Sequence, residues 1–238
     1  MLPLVLATAG ACVTLAGALV LRSFGPALRL GRLLAVTPIV SIGDALAIAA
    51  AGEARYVGVE GRIDSADDFP DENERPLVYR RTRFEVRLPG RWRTVDDARR
   101  AVPFSLDAGL ASIAIDVDVL GPGLVVLARE SAGVAGDVPD RFPAGIAPST
   151  RARMRIEQVS SVEHATALGL PVLDADGRPL LSAGLGRPLV LSTMERDDAM
   201  RVLAEGRRGR AIASVILLVA GPLLVASGVF AALVGHLG

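Results

Sequence analysis

The chain has 238 residues, of which 51% are hydrophobic and 22% charged, and its mean hydropathy is +0.43. Its 26 basic and 26 acidic residues give a formal net charge of zero, so bulk attraction to nucleic acid is not indicated. Cys12 is the only cysteine and His164 and His236 are the only histidines, which excludes an intrachain disulfide and a zinc site built from cysteine and histidine. The basic residues are all arginine, a composition typical of a GC-rich genome.

The N-terminal segment is free of charge up to Leu21, and Arg22 is the first charged residue. About 20 apolar residues suffice for a helix to cross a bilayer. We therefore predict a transmembrane helix over residues 1–21. A cleaved signal peptide is the alternative, but it would begin with basic residues, whereas here the basic residues follow the apolar run.

The segment 33–200 is predicted to form one β-rich globular domain that opens with a short helix. Ser41 and Asp44 fit a capping box at the start of this helix, and Gly52 is expected to end it. Alternating apolar residues and turn residues predict strands at 56–63, 77–88, 91–95, 101–107, 111–117, 153–160, 171–173, 180–181 and 188–192. Residues 65–76 read as an acidic loop, 129–150 as a surface loop and 192–205 as a polar helix.

Arginine is concentrated on the hairpin formed by strands 77–88 and 91–95, with aromatic residues interleaved. Basic groups near an anionic membrane gain about 1 kcal/mol each. The hairpin therefore suggests a lipid or partner surface; the alternative interpretation is a solvated strand face that carries alternating arginines. We call the following residues the arginine hairpin: Arg80, Arg81, Arg83, Arg87, Arg91, Trp92 and Arg93.

A second apolar segment begins at Ala211 and predicts a transmembrane helix over 211–235. Arginine is enriched between the two spans and absent outside them: Arg22, Arg29, Arg32, Arg201, Arg207, Arg208 and Arg210. The positive-inside rule then predicts that the central domain is cytoplasmic and that both termini lie outside the cytoplasmic membrane. Small residues four apart permit close helix contact, within one chain or in an oligomer: Gly10, Thr14 and Ala18 in the first span, and Ser227, Ala231 and Gly235 in the second.

These patterns together predict an α+β fold. Many short strands with turn signals are typical of a small, mostly antiparallel β barrel or sandwich. The polar segments at both ends of the domain predict flanking helices. The whole domain is expected to lie between two transmembrane α-helices.

Several short motifs along the chain occur in an order known from one family. They are Thr37-Pro38, the strand 56–62, Leu77-Val78-Tyr79-Arg80, Val102-Pro103-Phe104-Ser105-Leu106-Asp107 and Leu189-Val190-Leu191-Ser192. Over about residues 1–235 the chain resembles the GIDE-type or BAM ("beside a membrane") domain family, found in membrane-anchored ubiquitin ligases of mitochondria and chloroplasts and in many prokaryotic proteins. Those ligases carry a zinc-binding RING domain after the second span. The sequence here ends at Gly238 without a zinc ligand set, so we do not expect ligase activity to carry over.

Three other groups of residues are weaker candidates for chemistry. The acidic loop holds five carboxylates but fits no EF-hand, and Asp174-Ala175-Asp176-Gly177 lacks the later ligands of a calcium loop. His164 lies near serines, but no Gly-x-Ser-x-Gly motif is present. We therefore predict a solvated loop, a turn and a surface histidine, with no catalytic, cofactor or metal site.

The sequence thus favours a membrane-anchored, non-enzymatic binding or scaffold module. Its expected partners are the lipid bilayer and an unidentified protein or lipid ligand, without nucleic acid and without a cofactor. One alternative is a component of a ubiquitin-transferase-like pathway whose catalytic RING belongs to another polypeptide. Another is an unrecognised hydrolase that would use Asp107 and His164.

Overall fold

A computed structural model describes residues 2–89, 91–143, 145–204 and 208–237, and within these ranges it contains four α-helices and twelve β-strands. The chain divides into two compact units. The helical unit comprises Met1–Arg32 together with Met200–Gly238, and the globular unit is Leu33–Ala199.

The helical unit is built mainly from α1 (Leu2–Val36) and α4 (Arg208–Leu237). Each contains a window long and apolar enough to cross a membrane, Leu4–Leu21 and Ile212–Phe230, with mean hydropathies of 2.3 and 2.4. Helix α1 continues well beyond the predicted end at residue 21, because leucine, alanine and arginine all favour helix.

Helices α1 and α4 contact each other at small residues. A Cβ atom added to Gly10 would lie 2.6 Å from the carbonyl oxygen of Gly221, and one added to Gly221 would lie 2.8 Å from the backbone nitrogen of Thr14. A Cβ atom added to Gly17 would lie 3.0 Å from side-chain atoms of Leu217 and Leu218. The two backbones therefore approach as closely as small residues allow.

The predicted spacing of small residues is correct only in part. Gly10 and Thr14 lie at the helix contact, but Ala18 is exposed and Gly17 takes its place. In α4 the small residue at the contact is Gly221, whereas Ser227 is exposed and its hydroxyl donates to the Leu223 carbonyl at 2.8 Å. Ala231 and Gly235 lie outside the residues whose side chains are described.

Helix α2 (Ile42–Ala51) opens the globular unit, as the sequence predicts. The Asp44 backbone N–H donates to the Ser41 hydroxyl at 3.0 Å, and that hydroxyl donates to the Asp44 carboxylate at 2.7 Å. Gly52 ends the helix in the left-handed region with φ 65°, and its N–H donates to the Ala49 carbonyl.

Five strands of the globular unit close into a small barrel. Around the barrel each strand pairs with the next, and all pairs are antiparallel except β6 with β11. The barrel strands, in spatial order, are β1 (Val57–Asp64), β5 (Ser105–Ala108), β6 (Ala111–Ile115), β11 (Pro179–Ser182) and β10 (His164–Leu173). Short strands β12 (Val190–Ser192) and β7 (Leu124–Val125) extend the sheet from β10. The interior is aliphatic and fully buried, with Val57, Val59, Ile63, Leu106, Ile113 and Leu181 at 0–1% exposure.

A second sheet has the long strand β3 (Pro76–Leu88) at its centre. Strand β9 (Arg151–Ser160) lies on one side of β3, with β8 (Arg129–Val134) beyond it. Strands β4 (Arg91–Ala101) and β2 (Phe69–Pro70) lie on the other side of β3. The predicted α+β fold with a small barrel is thus confirmed. The predicted hairpin is present as β3–β4, although Gly90 of its turn lies outside the described residues.

One register shift breaks the simple alternation of β3. Arg80, Thr82, Phe84 and Val86 share a face, because they pair with every second residue of β9. Val78 does not follow this pattern, since the register with β9 shifts between Leu77 and Tyr79. Such a bulge turns successive side chains to one side, and Val78 and Tyr79 are both fully buried.

The predicted surface loop over 129–150 is wrong in its first part. Residues 129–134 form β8, which pairs with β9 over six residues, and short 3-10 turns follow. All six β8 residues are exposed, so the segment shows no apolar alternation that would have revealed a strand. Strand β10 is also longer than predicted, because it begins at His164 rather than at Pro171. The polar helix is α3 (Arg196–Ala204), and Glu205 lies outside the described residues.

Candidate functional site

The first half of the arginine hairpin is neutralised by ion pairs. The Arg81 guanidinium donates two hydrogen bonds to the Asp97 carboxylate, at 2.8 and 2.7 Å, and Arg80 donates to Glu72. These bonds hold the pKa of Asp97 and that of Glu72 below their usual range, and Asp97 raises the pKa of Arg81 further above its already high value. These two arginines therefore do not present free positive charge.

Further pairs of arginine with acid lie across the sheet, on the face that carries the Arg81 side chain. Arg83 donates to Glu157, and the Arg155 guanidinium lies 3.6 Å from the same carboxylate. Arg153 donates to Glu85 at 2.5 Å. Both acids are nearly buried, with side chains 11% exposed, so their partners hold them in place. Opposite charges on adjacent strands stabilise a sheet, which gives these arginines a structural role.

The pairing of arginines with acids does not continue to the end of the sheet that holds Arg87 and Trp92. Arg87 pairs across to Trp92 on β4, with its guanidinium 5.6 Å from the indole centroid, and the Arg153 guanidinium lies 4.5 Å from the same ring. Val86 pairs with Ala152 on β9, so Arg151 is the next position along and lies beside Arg87. We call Arg87, Trp92 and Arg151 the distal row.

The distal row has uncompensated positive charge. Arg87 and Arg151 are both exposed, and among the described residues no carboxylate lies within ion-pair distance of either. Like charges on adjacent strands oppose folding, so this arrangement is not explained by stability. Guanidinium groups donate paired hydrogen bonds to phosphate or carboxylate, and they stack on aromatic faces. The distal row is therefore suited to hold an anionic group beside the Trp92 ring.

The structure does not gather the whole arginine hairpin into one surface. Arg91 pairs with Leu88 and Arg93 with Val86, so these two arginines are exposed on the face opposite the Trp92 ring. Arg151 was not predicted, because it lies more than sixty residues away in sequence and only the β3–β9 register brings it beside Arg87. The site thus combines two predicted residues, Arg87 and Trp92, with one that the sequence did not indicate.

A cleft on the barrel is the second candidate site. It has a volume of about 360 Å³, and its lining includes Glu60, His164, Thr166, Ser192 and Arg196. His164 is exposed, as predicted, and the Thr166 hydroxyl donates to Glu60 at 3.3 Å. Within the part of the chain that the structure describes, no group of three or more histidine, cysteine or acidic residues could hold a metal ion.

The hydrolase alternative finds no support in the arrangement of its two residues. Arg62 of β1 pairs with Asp107 on one side and with His164 on the other. Strand β1 therefore lies between Asp107 and His164. Strands in a sheet are about 4.8 Å apart, which places the two residues roughly 10 Å from each other. Asp107 instead accepts hydrogen bonds from Ser105 at 2.8 Å and Ser112 at 2.6 Å within the β5–β6 hairpin.

The two acidic segments act as turns. The Asp71 carboxylate accepts from the backbone N–H groups of Asn73 and Arg75, at 2.7 and 3.0 Å, and these bonds lower its pKa. The Asp174 carboxylate accepts in the same way from Arg178 at 2.8 Å, which also lowers its pKa, and Gly177 follows with φ 76°. Both carboxylates are used by their own loops, and the predicted turn at 174–179 is confirmed.

Models of known protein families, curated protein sequences and solved structures were compared with the chain. None of them matches it. The resemblance to the GIDE or BAM family therefore stays a prediction.

Proposed function

We propose that the chain is a membrane-anchored, non-enzymatic binding module of the GIDE or BAM type, and that its globular unit binds an anionic protein or lipid ligand at the membrane surface. The single observation that carries this proposal is the distal row. Arg81, Arg83, Arg153 and Arg155 on this sheet face all have acidic partners. Arg87 and Arg151 lie beside each other on the same face, and neither has an acidic partner in the part of the chain that the structure describes.

Anchoring is supported by the two apolar helices. Both α1 and α4 contain windows that match the thickness of a bilayer, and each α4 leucine, isoleucine, valine or phenylalanine favours insertion by roughly 0.3–0.6 kcal/mol. Pro222 lies inside α4, which a membrane helix tolerates when neighbouring groups satisfy the freed carbonyl. The close contact at Gly10 and Gly221 supports a paired arrangement of the two spans.

The proposed orientation places the globular unit in the cytoplasm and both termini outside. It is supported by the arginines that follow the first span and precede the second, because positive residues near span ends favour the cytoplasmic side. A reporter that is active only outside the cytoplasm, fused after Leu237, is expected to be active. An inactive reporter would contradict this orientation.

Binding is tested with the full chain in nanodiscs of neutral lipid, using vesicles that contain phosphatidylserine and, separately, an acidic peptide as probes. The double variant Arg87→Gln/Arg151→Gln removes both charges of the distal row. At roughly 1 kcal/mol for each arginine, affinity for the anionic probe that is the true ligand should fall roughly thirtyfold. The loss should shrink as salt concentration rises, because salt screens exposed charges.

The matched control is Arg80→Gln/Arg178→Gln, which removes the same charge from arginines that are paired with acids. This control should bind nearly as well as the parent chain. If both double variants lose affinity equally, binding depends on net charge alone and the distal row is not the site. If the parent binds neither probe more strongly than neutral vesicles, the proposed function is wrong.

A further inference from the structure

Strand β4 forms an edge of the second sheet along most of its length. Among the described strands it pairs only with β3. Residues 97–100 are all exposed. An edge strand carries a row of backbone N–H and C=O groups that can pair with another strand.

The direction of these backbone groups follows from one hydrogen bond. The Val102 N–H donates to the Val78 carbonyl at 3.0 Å, in the same register as the β3–β4 pairs that precede it. In antiparallel strands, residues that bond to the partner strand alternate with residues that face away. Asp96, Ala98 and Arg100 therefore bond to β3. Asp97 and Arg99 direct their N–H and C=O groups to the open edge.

The side chains of this segment have an unusual symmetry. Residues 96–100 read Asp-Asp-Ala-Arg-Arg, so that charge reverses in sign about Ala98. An antiparallel copy of the segment that is centred on Ala98 therefore places every aspartate opposite an arginine.

We propose that β4 pairs with β4 of a second copy of this chain as antiparallel strands, with the twofold axis at Ala98. Asp97 then lies opposite Arg99 of the partner subunit, and their outward N–H and C=O groups bond to each other on both sides of the axis. Asp96 lies opposite the partner's Arg100 on the other face. Ala98 meets the partner's Ala98 at the axis, where its small side chain permits close approach.

Other registers are unfavourable for defined reasons. An axis at Asp97 or at Arg99 also brings the outward backbone groups together, but it places like charges directly opposite each other, which destabilises a strand pair. A shift by one residue places outward groups opposite residues that already bond to β3, so the hydrogen bonds are lost. Charged edges usually prevent pairing. Here the charge pattern opposes the registers centred on Asp97 and on Arg99, and it favours the one centred on Ala98.

The contacts that these side chains already make leave room for a partner. Asp97 remains 37% exposed although Arg81 holds it, and a carboxylate has about four acceptor positions. Arg99 donates to the carbonyls of Val117 and Asp118, which are neutral. Asp96 lies 3.6 Å from Arg141 and remains 33% exposed, and Arg100 is exposed although its guanidinium lies over the Phe69 ring. The register shift at Val95 ends the flat part of the strand, so the shared sheet is short. If the chain is anchored as proposed above, confinement to a membrane raises the local concentration of the two copies.

Disulfide crosslinking of the full chain in its membrane tests this interface. The variant Ala98→Cys is made in a Cys12→Ala background, and non-bonded antiparallel pairs have Cα atoms about 4.5 Å apart, within the range of a disulfide. Mild oxidation should convert most of this variant to a covalent dimer. The control Ala132→Cys places cysteine on the exposed edge strand β8 and should give several-fold less dimer. Equal yields from the two variants would overturn the proposal.

A charge exchange provides a second test that does not depend on cysteine. Asp96→Arg/Asp97→Arg gives a segment with four arginines, and Arg99→Asp/Arg100→Asp gives one with four aspartates. Each variant should be monomeric in detergent when alone, and a mixture of the two should form heterodimers. Failure of the mixture to associate, when both variants retain the thermal stability of the parent chain, would contradict the pairing. Vesicle binding by the distal row is measured separately, so the two proposals can fail independently.

Discussion

Replacing Gly123 with alanine is expected to lower the free energy of unfolding of the globular unit by about 3 kcal/mol or more. A Cβ atom at this position would lie 1.8 Å from the Leu189 carbonyl oxygen and 2.8 Å from its carbonyl carbon. Both are backbone atoms, so no rotation of a side chain relieves the overlap. The residues that follow Leu189 are fully buried and form β12, which pairs with β7 immediately after Gly123. The clash should therefore separate β7 from β12.

Hydrogen exchange measured by mass spectrometry over residues 124–125 and 189–192 reports this separation directly. The matched control is Gly121→Ala, two positions earlier in the same 3-10 turn. A Cβ atom there would meet only the Arg99 guanidinium, at 3.9 Å. The control should change stability by less than about 1 kcal/mol. Equal protection in the two alanine variants would show that β7 does not pack against Leu189 as described.

Replacing Gly221 with leucine should force apart the two helices of the helical unit. A Cβ atom on Gly221 would lie 2.1 Å from the Thr14 hydroxyl oxygen and 2.8 Å from the Thr14 backbone nitrogen. Rotating the threonine side chain relieves only the first of these overlaps. Close approach of the backbones permits the van der Waals packing that helps to drive helix association in a membrane, so we expect a loss on the order of 1–3 kcal/mol.

The full chain is titrated with SDS, and separation of the helices is monitored by energy transfer between two dyes. One dye is on Cys12 and the other is on a cysteine that replaces Ser227; both positions are exposed. Gly221→Leu should shift the loss of energy transfer to lower SDS concentration. Ala226→Leu adds the same side chain at an exposed position of α4 and should leave the midpoint unchanged. A shared midpoint for both variants would argue against the Gly10–Gly221 contact.

Local signals in the sequence predicted much of the fold. The Ser41 cap and the Gly52 termination of α2 depend on groups three or four residues apart, and so does the turn at Gly177. The hairpin β3–β4 was also predicted, because alternating residues flank a short turn. In each case the physical cause lies within a few residues of its effect.

Features set by distant pairing could not be predicted. Strand β8 has only exposed residues, so its pairing with β9 decides its structure and no pattern reveals it. The parallel contact of β6 with β11, which closes the barrel, joins segments about 65 residues apart. The fold of these segments follows from backbone hydrogen bonds that the side-chain pattern does not encode.

The candidate site was predicted only in part, because it too depends on the pairing of distant strands. The sequence indicated an arginine-rich hairpin, but it could not show that Glu157 lies between Arg83 and Arg155 and neutralises both. Nor could it show that Arg151 lies beside Arg87. Only the register of three strands places Arg87 and Arg151 side by side, and neither has an acidic partner among the described residues.

As proposed above, α1 and α4 both cross a lipid bilayer and anchor the globular unit to the membrane. Extraction of membranes with alkaline sodium carbonate tests this proposal most directly, because carbonate releases proteins held by charge or by surface contact and leaves spanning proteins in the pellet. We expect the full chain to remain in the pellet after carbonate and after high salt, and to be released only by detergent. Release of the chain into the supernatant by carbonate alone would contradict the account.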